Sequence, residues 1–218
     1  MFNVIRPTEI PHTLTLGRDY KGEDVLNALK ECFHKKCYLC ETKEPHDINV
    51  EHFIPHEGDP NLKFDWNNLY LVCSRCNNIK LAGRAALLDC CDTTQDVSKK
   101  IKILPPCSPY AKKMLIEPNT QDDAVVNTAS LLDKIYNSEH TINKEVTGSF
   151  LRKKVFDEMI DLTTHMINYL KKDTLEIEKP TILLRIKKLT ESESPFSSIA
   201  TSQILEDECF APLIFPRN

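Results

Sequence analysis

The sequence predicts an α+β chain, mainly helical, that encloses a small metal-centred module. Three observations carry this. Two C-x-x-C pairs, Cys37–Cys40 and Cys73–Cys76, stand 32 residues apart. Short apolar stretches of strand character lie between them, and segments with apolar residues at helical spacing lie outside them.

Taken in order, Met1 to Tyr20 has two prolines and alternating apolar residues and reads as extended or irregular. From about Glu23 to Lys35, Val25, Leu26, Leu29 and Phe33 recur at helical spacing and lead into Cys37. Ile48, Val50, Phe53 and Ile54 suggest a strand and turn, broken by Pro55 and by Gly58-Asp59-Pro60. Leu69 to Val72 reads as a second strand that ends at Cys73, and Asn78 to Leu88 as a helix. Residues 89–127 carry four prolines and no clear period. Helices are expected at about Ala129–Tyr136, at Lys144–Lys172 and after Pro180. The expected division is an N-terminal segment and helix (1–36), the metal module (37–88) and a helical C-terminal region (89–218).

Composition narrows the function classes. The chain has 218 residues, 41% hydrophobic and 28% charged, with a net charge of −4, which is ordinary for a soluble domain and not a basic nucleic-acid coat. A local basic face is still enough to meet a few phosphates. Five glycines against 13 prolines, with no G-x-G-x-x-G or P-loop string, argue against dinucleotide or P-loop nucleotide binding. No apolar run has membrane-spanning length and no signal-peptide core opens the chain, so no membrane association and a cytoplasmic location are expected.

Nine cysteines, an odd count, suit metal ligation better than a disulfide framework. Each C-x-x-C forms a knuckle that aims two thiolates at one centre, and two knuckles complete a tetrahedron. Cys37, Cys40, Cys73 and Cys76 are therefore expected to hold a structural Zn2+ with no open position for water. Cys32, Cys90, Cys91, Cys107 and Cys209 read as small buried hydrophobes.

The frame encloses Asn49-Val-Glu51-His52-Phe-Ile-Pro55-His56, then Trp66-Asn67-Asn68-Leu69, and is followed by Asn77. Phosphodiester hydrolysis needs a base near neutral pH, which histidine supplies, and a cation to meet growing negative charge. Glu51 and Asn77 offer hard oxygen ligands suited to Mg2+ or Mn2+.

These residues, in this order between two zinc knuckles, resemble the HNH (ββα-metal) endonucleases. The resemblance implies that His52 is the general base and that Glu51 and Asn77 hold a catalytic divalent cation. It makes Asn68 a brace that orients the histidine loop. His56, in the usual basic position after the proline, would be a phosphate contact or a second candidate base. Glu51 stands where Asp is commoner, and Asn77 where His is commoner. Arg75, Lys80 and Arg84, in or before the following helix, are candidate phosphate contacts that position a backbone without reading its sequence.

A wider likeness rests on the Met1–Arg6 start, Leu115–Asp123, Leu151–Lys154 and Ser194–Ser197. These stretches look like the retron-associated and Septu-type HNH proteins of the PtuB kind. That implies the effector of a bacterial anti-phage system that cuts nucleic acid (DNA, or RNA such as tRNA) beside an ATPase partner of the PtuA kind. The helical C-terminal region would then serve docking and substrate positioning. A non-catalytic zinc-held nucleic-acid binder and a stand-alone or restriction-type HNH nuclease are the alternatives.

Overall fold

The computed structural model describes residues 1–81, 85–139 and 146–216. Its architecture is α+β and mainly helical, with two small antiparallel hairpins. A one-turn helix α1 (His12–Thr15) interrupts the N-terminal stretch expected to be irregular. Helix α2 (Glu23–Cys32) buries Val25, Leu29 and Cys32, which share one face at helical spacing. It stops where His34 and Lys35 take positive φ values of 53° and 58°, turning the chain into the first cysteine knuckle.

Strands β1 (Ile48–His52) and β2 (Leu69–Cys73) pair antiparallel, from Ile48 opposite Cys73 to His52 opposite Leu69. The linking loop is held by side-chain caps. Asp59 accepts from the Asn61 N–H at 2.8 Å to start α3 (Pro60–Lys63), and Asp65 accepts from Asn67 at 2.9 Å to start a 3-10 turn at Trp66–Asn68. Helix α4 (Ser74–Lys80) then packs on both strands.

The expected helix at Asn78–Leu88 is thus displaced toward the N-terminus. The second knuckle itself forms the first turn of α4, and Leu81, at φ 54°, ends it. Beyond the turn, the Leu88 N–H bonds the Thr128 hydroxyl at 2.8 Å instead of a helical carbonyl.

The stretch expected to be irregular holds a second hairpin, β3 (Ile101–Leu104) with β4 (Leu115–Pro118), in register from Ile101 opposite Pro118. Ile101 and Ile103 alternate into the core, two apolar residues too few to stand out among prolines. Helices α5 (Asp123–Asn137), α6 (Gly148–Leu170) and α7 (Lys179–Leu189) follow, with α8 (Ser197–Leu205) and α9 (Phe210–Ile214), which periodicity did not mark. Helix α8 is buried almost all round and so lacks an amphipathic signature.

One core runs through the chain, from Phe2 and Phe33 through Tyr70 and Leu71 to Leu132 and Ile199. Polar links cross it. The Tyr136 hydroxyl on α5 donates to the Cys40 carbonyl at 2.8 Å. Lys36 and Glu41, both buried, pair at 3.4 Å beside Ser197 and Ser198 at the start of α8. Burial alone would raise the Glu41 carboxyl; the Met1 amino group and the Lys36 ammonium outweigh it and hold it down at about 2. Among the described residues, no helix is long and apolar enough to cross a membrane.

Candidate functional site

The four frame cysteines converge. Their sulfur atoms all lie within 4.8 Å of one another and the residues are buried. Cys40 Sγ and Cys73 Sγ are 3.8 Å apart. A tetrahedron with metal–sulfur bonds of ~2.3 Å has edges of about 3.8 Å, so the cluster could hold zinc. It joins the loop before β1 to the end of β2 and the first turn of α4.

Glu51 and His52 are neighbours at the end of β1, and strand alternation gives them different surroundings. The His52 ring faces the Tyr20 ring at 4.7 Å and the His56 ring at 4.5 Å between centroids. Its Nε2 is 3.0 Å from the Lys63 carbonyl oxygen. A carbonyl only accepts, so the ring proton sits on Nε2 and the lone pair of the neutral imidazole is on Nδ1. Burial lowers the His52 pKa, the Lys63 carbonyl opposes this, and nearby His56, Lys63 and Lys21 lower it further. The imidazole is therefore neutral near pH 7.

Asn68 is buried and fully engaged. Its Oδ1 accepts from the Ile54 N–H at 2.7 Å, and its Nδ2 donates to the Ile54 and Leu62 carbonyls at 2.9 and 3.0 Å. One carboxamide thereby ties both ends of the loop that carries Pro55, His56 and Lys63. His56 Nδ1 accepts from the Gly58 N–H at 3.1 Å, which leaves its ring proton on Nε2.

Glu51 turns toward α4 and the knuckle. Its Oε1 pairs with the Lys80 ammonium, and its Oε2 accepts from the Tyr38 hydroxyl at 3.1 Å. The same ammonium lies 3.4 Å and 3.3 Å from the carbonyl oxygens of His52 and Phe53. Burial pushes the Glu51 carboxyl up, against the Lys80 charge and the Tyr38 bond. Asn77, half-buried, sits one turn before Lys80 on α4. The carboxylate expected to meet a divalent cation is thus occupied by an internal one, and in this arrangement it does not fit a second.

The candidate phosphate contacts separate. Arg75 points inward and donates to the carbonyls of Val146, Ile135 and Ser138 at 3.1, 3.0 and 2.7 Å, fastening α4 to the end of α5 rather than facing a ligand. Lys80 is buried against Glu51. With α4 starting at Ser74, the two side chains leave it in different directions, Arg75 toward the end of α5 and Lys80 toward β1. Arg84 lies outside the described residues. His56 remains beside His52. Tyr20 and the Lys63 carbonyl were missed, because Tyr20 is remote in sequence and a backbone oxygen leaves no mark in residue spacing.

With this geometry in view, comparison with known proteins adds a likeness confined to part of the chain. Residues 37–82 match the HNH endonuclease family. They span the first knuckle, both strands and α4. The chain is also similar to the Septu protein PtuB of Bacillus thuringiensis, 43% identical over 56 residues, covering 24% of this chain and 22% of that protein. A second Septu protein PtuB, from Bacillus mycoides (strain KBAB4), is 39% identical over 77 residues, covering 27% and 25%. The match spans about a quarter of the length of these relatives.

Proposed function

We propose that this chain is an HNH endonuclease that hydrolyses nucleic-acid phosphodiester bonds, with His52 as its general base. The observation that carries the reading is the His52 ring: Nε2 is committed to the Lys63 carbonyl, so a neutral imidazole has Nδ1 ready to accept a proton. In the proposed step Nδ1 takes a proton from water as that water attacks phosphorus, the P–O bond to the departing oxygen breaks, and that oxygen takes a proton from solvent. Tyr20 and Asn68 hold the imidazole and its loop in place, and His56 Nε2–H donates to a phosphate oxygen. Zn2+ on Cys37, Cys40, Cys73 and Cys76 keeps β1, β2 and α4 in register and takes no part in the chemistry.

The family resemblance asks for Mg2+ or Mn2+ on Glu51 and Asn77, where it would neutralise phosphate charge. Lys80 stands on that carboxylate, so a cation reaches Glu51 only after Lys80 withdraws.

The likeness to the Septu proteins supports a role in anti-phage defence. An ATPase partner of the PtuA kind and a cytoplasmic location in bacteria complete the proposal. A non-catalytic zinc-held nucleic-acid binder is the second reading, favoured by the internal neutralisation of Glu51. Incubation with supercoiled plasmid and with tRNA separates them, using Mg2+ or Mn2+ with and without the ATPase. Nicked plasmid or shortened tRNA supports the nuclease. Binding without cleavage under every combination supports the second reading.

A further inference from the structure

Outside this site, three thiols gather around one guanidinium. Arg6 lies among the rings of Phe33, Trp66 and Tyr70, 5.4, 5.3 and 4.6 Å from their centroids. Its NH1 and NH2 groups donate to the carbonyls of Trp66 at 3.0 Å and Leu69 at 2.6 Å. Its Nε points at Cys91 Sγ, 3.2 Å away. Among the described residues no carboxylate pairs with Arg6, although a guanidinium in apolar surroundings needs an anion nearby.

We propose that Cys91 is a thiolate, the counter-ion of Arg6, and that it is a modification site for hydroperoxides and other soft electrophiles. The neighbouring groups fit. Cys90 is fully buried, its sulfur is within 4.8 Å of that of Cys91, and burial keeps it a protonated donor to the thiolate. Cys32, near Arg6, is pushed up to about 12 by burial and stays a thiol. The Asp89 carboxylate lies beside Cys90 and Cys91, and its Oδ1 is engaged by the Tyr70 hydroxyl and by the Cys91 N–H. Cys91 is itself only half-buried, so its sulfur is open to small molecules from one side.

The chemistry balances simply. The Cys91 thiolate attacks one oxygen of a hydroperoxide, an S–O bond forms as the O–O bond breaks, and the leaving alkoxide or hydroxide takes a proton from solvent. Sulfur is oxidised and the peroxide reduced. The sulfenic acid is uncharged, so Arg6 loses its anion. Because Arg6 holds the carbonyls on either side of Asn67 and Asn68, the change reaches the turn that braces the His52 loop.

Trp66 is the single tryptophan and belongs to this cage, so it reports the event without an activity assay. The test is brief exposure of the zinc-loaded protein to limiting hydrogen peroxide with dimedone at pH 7, followed by peptide mass spectrometry and Trp66 fluorescence. Cys91, with the Arg6 guanidinium on its sulfur, should label about tenfold faster than exposed Cys107 and Cys209. Trp66 emission should change in step with it. Cys91→Ser should abolish the emission change, and Arg6→Gln should bring labelling of Cys91 down to the rate of Cys107. The wild-type order of labelling decides the matter even where Arg6→Gln does not fold. Labelling of Cys107 and Cys209 with Cys91 intact, or labelling of Cys91 at the same rate without Arg6, overturns the proposal.

Discussion

Lys80 Nζ lies 2.7 Å from Glu51 Oε1, with the two side chains only 4% and 7% exposed. Two charges this deep stay in place only as a pair, and removing one leaves the other uncompensated at a cost of about 3–5 kcal/mol. Lys80→Met should therefore lower the melting temperature substantially, and adding Glu51→Gln to it should restore much of the loss. Mn2+ should raise the melting temperature of Lys80→Met more than that of the wild type, since binding to the native state alone stabilises it. Equal shifts would mean that Lys80 and the cation do not compete.

The zinc cluster leads to a second expectation. With four buried thiolates, binding free energy is folding free energy. Wild-type protein should carry one zinc per chain by elemental analysis, and Cys73→Ser should lower that content and aggregate. A zinc-free wild-type protein that melts cooperatively would remove the cluster from the account.

Much of the module could be read from the chain because its signals are local. Each C-x-x-C pair is its own signature, and β1 and β2 appear as apolar runs ending at a breaker or a cysteine. Asn68 is adjacent to its strand, so its position is legible even though its three partners are not. The pairs that decide the chemistry are long-range. Lys80 meets Glu51 across 28 residues, and Tyr20 meets His52 across 31, with nothing in either sequence neighbourhood to mark them. The start of α4 depends on the knuckle bending into a helical turn, which sends Arg75 toward α5 and Lys80 toward β1. Helix α8 escaped detection because burial on every side erases the period that reveals a helix.

Glu41 links the knuckle to the C-terminal helices and should behave as a structural carboxylate. It meets Lys36 and the Met1 amino group, all within the core. Glu41→Gln should destabilise the fold by about 3–5 kcal/mol in urea titrations. Lys36→Met with Glu41→Gln should be milder than Glu41→Gln alone. A single variant as stable as the wild type would contradict this role.

Helix α6 offers a separate test of partner docking. Leu151, Val155, Met159 and Leu162 are buried, while Ile160 and Ile167 are 47% and 54% exposed. Ile160→Asp and Ile167→Asp should leave melting behaviour and zinc content unchanged, because surface substitutions rarely cost more than about 0.5 kcal/mol. Loss of co-purification with the proposed ATPase would support docking on this face. Retained co-purification would direct the search elsewhere.

The central claim, that His52 is the base of a nucleic-acid hydrolase, is tested most directly by a paired cleavage assay. Wild type and His52→Ala, matched for zinc content and melting temperature, are incubated with plasmid and tRNA, Mg2+ or Mn2+ and the proposed ATPase partner. Removing a general base typically costs ~10²–10⁴-fold in rate. The account predicts a loss of at least that size, with substrate binding retained. Cleavage by His52→Ala at close to the wild-type rate would contradict it.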